Sequence, residues 1–206
     1  IMKKKLLFLI PLFLILTQCK KDDDDTEYVI REYSDQVNVD HQLLEDYLRT
    51  HTFNYEDFVN QINVDVKIDT LTEFNSSSQS PYDLANVKTI NVTESNGDNV
   101  RHNLYYIIAR EGLNENPSVA DSVYIAYDGL LTDGYVFDNR KFPIWLDLAN
   151  SLEGFREGVS ELKTGNFTEN SNGTISYTSF GVGLFFMPSG IGYFENTTAG
   201  IPEYTP

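Results

Sequence analysis

The sequence predicts an α+β domain in which short antiparallel strands form a sheet together with one short helix. Three observations support this fold. Residues 119–127 alternate between apolar and polar side chains, as a half-buried strand does. The dipeptides Asp128-Gly129 and Asp133-Gly134 are typical of turns between strands. Residues 152–162 follow with helical character, so the strands before and after them predict a sheet interrupted by one helix.

Four further segments of this region are predicted to be strands. The apolar run at residues 105–108 comes first, and short strands follow at 136–137 and 144–148. Residues 167–186 predict one or two strands around the turn dipeptide Asn172-Gly173. These segments complete the α+β domain, which we assign to residues 99–206.

Residues 28–98 carry weaker signals and are interpreted as an N-terminal extension. Apolar residues recur at helical spacing in 40–49 and again after Asn54, which is a plausible N-cap of a second short helix. Residues 64–71 alternate like a strand, and residues 75–81 have the composition of a loop. The sequence predicts a helix-plus-strand unit that packs on the main domain or acts as a spacer, and it indicates no function for this unit.

The overall charge excludes some classes of function. The chain has 206 residues, which is enough for one domain and a smaller appendage. Fifteen Lys and Arg against 31 Asp and Glu give a net charge of −16. A nucleic-acid binder needs basic residues to neutralise phosphates, so this balance disfavours that class and also simple adhesion to anionic lipid.

The N-terminus has the layout of an export signal. Three lysines at residues 3–5 precede an apolar run at 6–16, which is too short for a bilayer span of about 20 residues. The sequence Leu-Thr-Gln-Cys then ends at Cys19, the single cysteine of the chain. This segment resembles the lipidated cysteine of bacterial lipoproteins, although Gln18 replaces the usual small residue. Residues 1–18 are therefore predicted to be a signal peptide, and Cys19 to be lipidated.

A charged tether follows the lipidation site at residues 19–27. Four consecutive aspartates at 22–25 cannot pack in a core and are expected to stay solvated. Because adjacent flexible carboxylates lack the geometry of a cation site, we expect no metal there. The Lys-plus-acidic pattern resembles the export signal of some Bacteroidetes lipoproteins, which implies an outer-membrane location on the surface or the periplasmic face.

Common catalytic patterns are absent from the sequence. His41, His51 and His102 are the only histidines, and none is spaced with carboxylates or a cysteine as metal ligands are. We interpret each as a surface or capping residue. The sequence also lacks a Gly-x-Ser-x-Gly elbow and a phosphate-binding loop ending in Gly-Lys-Ser/Thr. We therefore predict neither a metal nor a cofactor.

A series of motifs in the C-terminal half resembles the FKBP-type peptidyl-prolyl cis/trans isomerases. The motifs occur in the family's order over residues 105–202. They are Val-Tyr-Ile-Ala-Tyr-Asp-Gly-Leu-Leu-Thr-Asp-Gly-Tyr-Val-Phe-Asp at 123–138, Leu-Glu-Gly-Phe-Arg-Glu-Gly-Val at 152–159, Leu-Lys-Thr-Gly at 162–165, Phe-Met-Pro-Ser at 186–189 with Tyr193, and Ile201-Pro202. The resemblance implies a sheet that curls around the helix.

The resemblance also implies a hydrophobic pocket for an Xaa-Pro dipeptide. Tyr127, Phe137 and Ile144 would form its walls, and Phe155 would form its floor in place of the family's usual Trp. Ile201 would contact the substrate from the last loop. The loss of the larger indole at the floor affects the expected rate more than the expected fold.

Three further residues would give this pocket its polar character. The Leu152 backbone N–H and the Tyr193 hydroxyl would bond substrate carbonyls, and Asp138 would lie at the edge. Isomerisation needs no acid, base or covalent nucleophile, because the barrier of about 18–20 kcal/mol comes from amide resonance. A dry aromatic site disfavours the dipolar planar amide relative to the twisted one.

The resemblance implies an enzyme that assists the folding of exported proteins, with proline-containing polypeptides as substrates. Two alternatives remain open. One is a catalytically weak module that binds proline-containing segments in an envelope complex for motility or secretion, since gliding-motility lipoproteins of Bacteroidetes include members of this type. The other is a lipoprotein that uses the fold as a scaffold. The sequence indicates no particular client or oligomeric state.

The end of the sequence predicts that the domain at 99–206 lacks its last strand. In the family the loop ending in Ile-Pro precedes one more strand inside the sheet, and here the sequence stops at Pro206. We expect an open slot beside the strand that carries Tyr127. A segment such as residues 64–72 filling that slot would contradict this expectation.

Overall fold

The computed structural model describes residues 30–60, 67–70, 80–198 and 200–206. Several predictions fall outside these residues: the signal peptide, lipidated Cys19 and its acidic tether, the first part of the strand at 64–71, and most of the loop at 75–81. Within the described residues, no helix has the length and apolar character needed to cross a membrane.

Four α-helices and nine strands lie within the described residues. The helices are Tyr33–Thr50 (α1), Tyr55–Asn60 (α2), Pro81–Leu84 (α3) and Glu153–Val159 (α4). The strands are His51–Phe53 (β1), Ile68–Thr70 (β2), Asn86–Thr93 (β3), Asn99–Arg110 (β4), Ser122–Leu130 (β5), Val136–Asp147 (β6), Asn166–Glu169 (β7), Ile175–Thr178 (β8) and Val182–Phe186 (β9). Short 3-10 turns lie at Leu148–Asn150 and Ser189–Ile191.

All strand pairs of this structure are antiparallel. The strands β3, β4 and β9 form a three-stranded sheet in that order, and β1–β2, β5–β6 and β7–β8 are two-stranded. This arrangement, with few helices, confirms the predicted α+β class. The predicted domain boundary at 98/99 falls in the turn of the β3–β4 hairpin, which pairs eight residues of each strand.

The core of the molecule is built on both faces of β4. On one face, Leu104 packs with Ile90 of β3 and Ile191 of the second 3-10 turn. On the other face, Tyr105 packs against Leu44 and Leu48 of α1. Further along that face, Ile107 joins a cluster with Phe53, Phe58, Ala109 and Leu184. The helices of the N-terminal extension therefore cover the sheet directly, because the apolar side chains of β4 need partners on both sides.

Helix α1 begins seven residues earlier than the predicted start at Asp40. Its first two turns carry Gln36, which is 3% exposed. The Gln36 side-chain amide donates to Asp40 Oδ1 at 2.7 Å and to the Tyr204 carbonyl at 3.1 Å. Burial of a polar side chain is stable here because these bonds satisfy it. Apolar periodicity therefore missed this part of the helix.

The β5–β6 hairpin contains one of the two predicted turns and corrects the other. Asp128-Gly129 was predicted to be a turn, but both residues lie in β5, opposite Asn139 and Asp138. The turn forms at Asp133-Gly134, where Gly134 has a φ of +88°. Glycine is needed at 129 for a different reason: a Cβ there would lie 2.6 Å from the Phe137 ring.

Strand β6 is continuous, whereas two separate strands were predicted at 136–137 and 144–148. The register with β5 shifts in the middle, since Ile125 pairs with Ile144 and Tyr127 pairs with Arg140. A step of two residues on β5 is thus matched by a step of four on β6. This irregularity keeps β6 paired while its middle residues leave the ladder.

The remaining predictions in this region differ from the structure in extent. Helix α4 ends at Val159, shorter than the predicted 152–162, and residues 167–186 contain parts of three strands. Asn172-Gly173 forms the turn between β7 and β8, with a Gly173 φ of +81°. Strand β4 contains the predicted segment 105–108, and β3 was not predicted.

His102 was interpreted as a surface or capping residue, and that interpretation is wrong. Its side chain is 0% exposed. The ring lies edge-on to Tyr33 and His41 of α1, and it packs on Gly190. Histidine is a polar residue type, and no local pattern indicates that helix α1 covers it.

Strand β5 has one neighbour within the described residues, which is β6. The described part of the 64–71 segment, β2, pairs with β1 and not with β5. The slot expected beside the Tyr127 strand is therefore not filled by that segment.

Candidate functional site

The candidate site forms on the inner face of the β5–β6 hairpin. Residues alternate along β5, so that Val123, Ile125, Tyr127 and Gly129 are half-buried while the residues between them are exposed. This is the burial pattern of a strand with one covered face. Tyr127 lies near the middle of that face and is the centre of the site.

The Tyr127 hydroxyl is held by a carboxylate on the neighbouring strand. It donates to Asp138 Oδ2 at 2.6 Å, and Arg140 Nη1 contacts Asp138 Oδ1 at 2.8 Å. Burial, followed by the bond to Asp138, raises the pKa of Tyr127 to about 12. The phenol is thus neutral at pH 7, and both oxygens of the carboxylate are occupied.

An edge-to-face pair of aromatic rings forms the next part of the site. The Phe137 and Tyr193 ring centroids are 6.0 Å apart at 86°. Gly129 permits this placement of Phe137, since a Cβ there would overlap the ring. Burial and the nearby Asp138 charge raise the pKa of Tyr193, so its hydroxyl also stays protonated at pH 7.

Helix α4 brings Phe155 to the same site. The Phe155 ring lies 5.4 Å from the Tyr127 ring in an edge-on orientation. Two glycines let the helix approach closely: a Cβ on Gly154 would lie 3.1 Å from Ile191, and one on Gly158 would lie 2.7 Å from the Phe185 ring. The spacing of small residues on α4 therefore sets the position of Phe155.

Two hydrogen-bond donors at the site are free within the described residues. Leu152 precedes α4 with φ −53° and ψ 142°, and its N–H has no acceptor there. The Tyr193 hydroxyl likewise has no partner in that part of the chain. Fixed unpaired donors beside aromatic rings are able to bind carbonyl oxygens of a ligand.

Two predicted substrate-binding residues lie in different environments. Ile144 is half-buried on β6, opposite Ile125. Ile201 is 3% exposed, and its N–H bonds the Thr198 carbonyl at 2.9 Å. The structure therefore joins five of the predicted residues by direct contacts or charge effects: Tyr127, Phe137, Asp138, Phe155 and Tyr193. The roles of all eight remain predictions.

Arg140 belongs to this group and was not predicted. It fixes Asp138 from the side opposite Tyr127, and it lies across the ladder from Tyr127. The sequence carried one usable signal, an arginine two residues after Phe137-Asp138, where it can reach back to the carboxylate. An arginine close to an aspartate is common on strand surfaces, so this signal does not by itself indicate a site.

A separate cavity of about 260 Å³ lies away from these residues. Glu45 of α1, Tyr82 and Ala85 near α3, Val87 of β3, and Asn103 and Tyr105 of β4 line it. Arg49 stacks on Tyr82 at 3.3 Å from the ring centroid, and the Tyr105 hydroxyl donates to Glu45 at 3.0 Å. These groups bond one another across the junction between α1 and the sheet.

Sequence comparison finds similarity to two curated isomerases. Over 95 residues, 45% of this chain, it is 33% identical to a probable FKBP-type peptidyl-prolyl cis-trans isomerase FkpA of Neisseria meningitidis serogroup B. Over 181 residues, 86% of this chain, it is 23% identical to the FKBP-type peptidyl-prolyl cis-trans isomerase FkpA of Aeromonas hydrophila. The matches span 29% and 60% of those relatives, less than two thirds of either. No protein-family model matches the chain.

Two solved structures are also similar. One is a peptidyl-prolyl cis-trans isomerase of Pseudomonas syringae pv. tomato, with 22% identity, a TM-score of 0.40, and coverage of 50% of this chain and 67% of that one. The other is FkpA from Escherichia coli, with 21% identity, a TM-score of 0.44, and coverage of 84% and 56%.

Proposed function

We propose that this chain is an FKBP-type peptidyl-prolyl cis/trans isomerase that binds Xaa-Pro segments of polypeptides on the β5–β6–α4 site. The proposal depends on one observation. Two pairs of aromatic rings, Tyr127–Phe155 and Phe137–Tyr193, lie beside the Asp138 carboxylate, which accepts the Tyr127 hydroxyl. The similarity to curated isomerases of that name supports it.

The aromatic rings explain how such a site lowers the barrier. The planar prolyl amide is stabilised by a dipolar resonance form, and rotation about the C–N bond loses that resonance. Water stabilises the dipolar form, whereas a site lined by Tyr127, Phe137 and Phe155 does not. The twisted amide is therefore favoured relative to the planar one, and the rate of isomerisation rises.

The two free donors orient the substrate in this proposal. The Leu152 N–H and the Tyr193 hydroxyl bond carbonyl oxygens next to the proline and hold the chain while the amide turns. Asp138, bonded to Tyr127 and Arg140, fixes the Tyr127 ring and accepts no proton during the reaction. No covalent bond is made or broken, so positioning and desolvation supply the whole effect.

The test measures by exchange NMR whether the purified chain isomerises a short Xaa-Pro peptide. We expect a faster cis/trans exchange, with a preference for an apolar residue before proline. Tyr127→Ala should lower kcat/KM by at least about tenfold, or about 1.4 kcal/mol in the transition state. Tyr177→Ala, at an exposed tyrosine of β8, is the matched control and should leave the rate unchanged. Equal rates for both folded variants would contradict the site.

The cellular part of the proposal rests on the N-terminal sequence. We propose that the chain is exported, anchored through lipidated Cys19, and assists the folding of exported proteins, where uncatalysed Xaa-Pro isomerisation takes tens of seconds. Cys19→Ser should release the protein from the membrane fraction. Protein that still sediments with membranes would show that Cys19 is not the anchor.

A binding module is the second candidate, and Phe155 favours it. Phenylalanine keeps the apolar floor but is smaller than the Trp usual in the family at this position. Tight binding of a proline peptide without acceleration of its exchange would identify the chain as a module that holds such segments. The same NMR experiment gives both measurements, because shifts report binding and exchange peaks report turnover.

A further inference from the structure

One large apolar side chain close to the candidate site is exposed to solvent. Phe142 of β6 is 86% exposed, the highest value among the large apolar side chains that the structure describes. Scattered exposed apolar residues are common on protein surfaces and need no function. The position of this one in the strand is what makes it informative.

Phe142 lies in the irregular part of the β5–β6 ladder. Between the pairs Ile125–Ile144 and Tyr127–Arg140, β6 has more residues than β5, so residues 141–143 have no partner in that register. All three are exposed. Extra residues in a ladder bend a strand and re-aim its side chains, and such bulges recur next to active sites.

The bulge is flanked on both sides by groups of the candidate site. Phe142 is two residues from Arg140, which holds Asp138 at 2.8 Å, and two residues from Ile144, a predicted wall residue. Two residues of chain span at most about 7 Å. The Cα of Phe142 therefore lies within about 7 Å of the Cα atoms of both residues, at the edge of the site.

We propose that Phe142 determines substrate preference by contacting the residues that flank the Xaa-Pro bond of a polypeptide. This inference rests on the proposed function. A proline inside a chain enters the site with chain on both sides of it, and those flanking residues must pass over the edge of the site. An exposed phenyl ring there gains burial only when a flanking residue is apolar or aromatic.

The experiment uses two peptides with the same Leu-Pro centre, one flanked on both sides by Phe and the other by Ser. We expect Phe142→Ala to lower kcat/KM for the Phe-flanked peptide by about fivefold, mainly through KM. The Ser-flanked peptide should change by less than about twofold. Phe142→Leu should restore most of the preference, because it keeps an apolar side chain. Phe167→Ala, at a phenylalanine of β7 that is 70% exposed, is the matched control.

The outcomes separate this inference from the proposed function. A wild-type chain that accelerates neither peptide contradicts the isomerase activity. In that case the role of Phe142 is tested by binding: Phe142→Ala should raise the dissociation constant of the Phe-flanked peptide by about fivefold and that of the Ser-flanked peptide by less than about twofold. Loss of discrimination in Phe142→Ala alone supports the inference. An equal change for both peptides, no change for either, or the same change in Phe167→Ala overturns it.

Discussion

The α1–β4 interface and the β5–β6 hairpin differ in how deeply they bury their side chains. At the interface, Leu48 of α1 and His102 of β4 are 0% exposed, and the buried carboxylate of Asp40 accepts the Ser189 N–H at 2.8 Å and hydroxyl at 2.6 Å. Every residue of β5 and β6 is exposed or only half-buried. Large apolar burial is the main source of stability, so the interface holds the fold and the hairpin presents the site.

The largest expected effect is on stability at the interface. Leu48→Ala removes a fully buried side chain from the contact with Tyr105 and should lower the free energy of unfolding by about 3 kcal/mol. Leu43→Ala on the same helix, at a residue 49% exposed, should change it by less than about 0.5 kcal/mol. Urea unfolding measures both.

A leucine of the β5–β6 hairpin completes the comparison of how much each region contributes to the free energy of unfolding. Leu130→Ala on β5, at a residue 46% exposed, should resemble Leu43→Ala in its effect on unfolding. A loss at Leu130 as large as that at Leu48 would show that the hairpin carries as much of the stability as the interface does.

The second effect is a dependence of stability on pH. Burial, followed by the charge of His41, lowers the pKa of His102 to about 4. The folded chain therefore binds fewer protons than the unfolded chain, whose histidines titrate near pH 6.5. The free energy of unfolding is then highest above pH 6.5 and falls as the pH drops toward 4, by about 2–3 kcal/mol from His102.

Other groups at the interface modify this dependence. His41 Nε2 accepts the Asn103 N–H at 2.9 Å, so protonation at that atom breaks the bond; burial lowers its pKa, against the opposite effect of Asp40 and Glu45. Burial raises the pKa of Asp40, so proton uptake there opposes the loss of stability at the acid end.

Substitution of His102 separates these contributions. His102→Leu should flatten the stability curve between pH 6.5 and 4.5, as measured by urea unfolding at a series of pH values. A slope equal to that of the unsubstituted chain would contradict the assignment. An NMR titration of the His102 ring gives an independent value, and a midpoint near 6.5 would contradict it as well.

The smallest effect concerns the hydroxyl of Tyr127. Tyr127→Phe removes the 2.6 Å bond to Asp138 and should lower kcat/KM by about three- to fivefold, or about 1 kcal/mol, because the ring and the carboxylate are then less well fixed. Thermal unfolding should change little, since the residue is only half-buried. Tyr124→Phe, on the exposed face of the same strand, is the control. A large loss of stability in Tyr127→Phe alone would show that the site also holds the fold.

The sequence predicted the hairpin region better than the interface. Alternation along β5 and the turn at Asp133-Gly134 are local signals, so both could be read directly. Motif order brought Tyr127, Phe137 and Phe155 into one prediction, and the structure places them in one group. Arg140 was missed because an arginine two residues after an aspartate is a common arrangement on strand surfaces and does not by itself indicate a site.

The interface depends on contacts between distant parts of the chain, which no local pattern specifies. His102 and Gln36 are polar residues buried by tertiary packing. Strand β3 buries few apolar residues, with Ile90 inward and Val87 53% exposed, so it lacked a clear alternation. Gly129 shows the reverse case, in which a turn residue served close packing against Phe137.

The bond between Asp40 and Ser189 has a consequence for the order of synthesis. The two residues are 149 positions apart. A ribosome adds about 5–20 residues per second, so α1 waits roughly 7–30 s for its partner turn to be made. The apolar stripe of Leu44 and Leu48 stays uncovered until Tyr105 of β4 is made, and its cover is complete only after Phe186 of β9. The nascent chain therefore exposes this apolar face before the candidate site at residues 127–193 is complete.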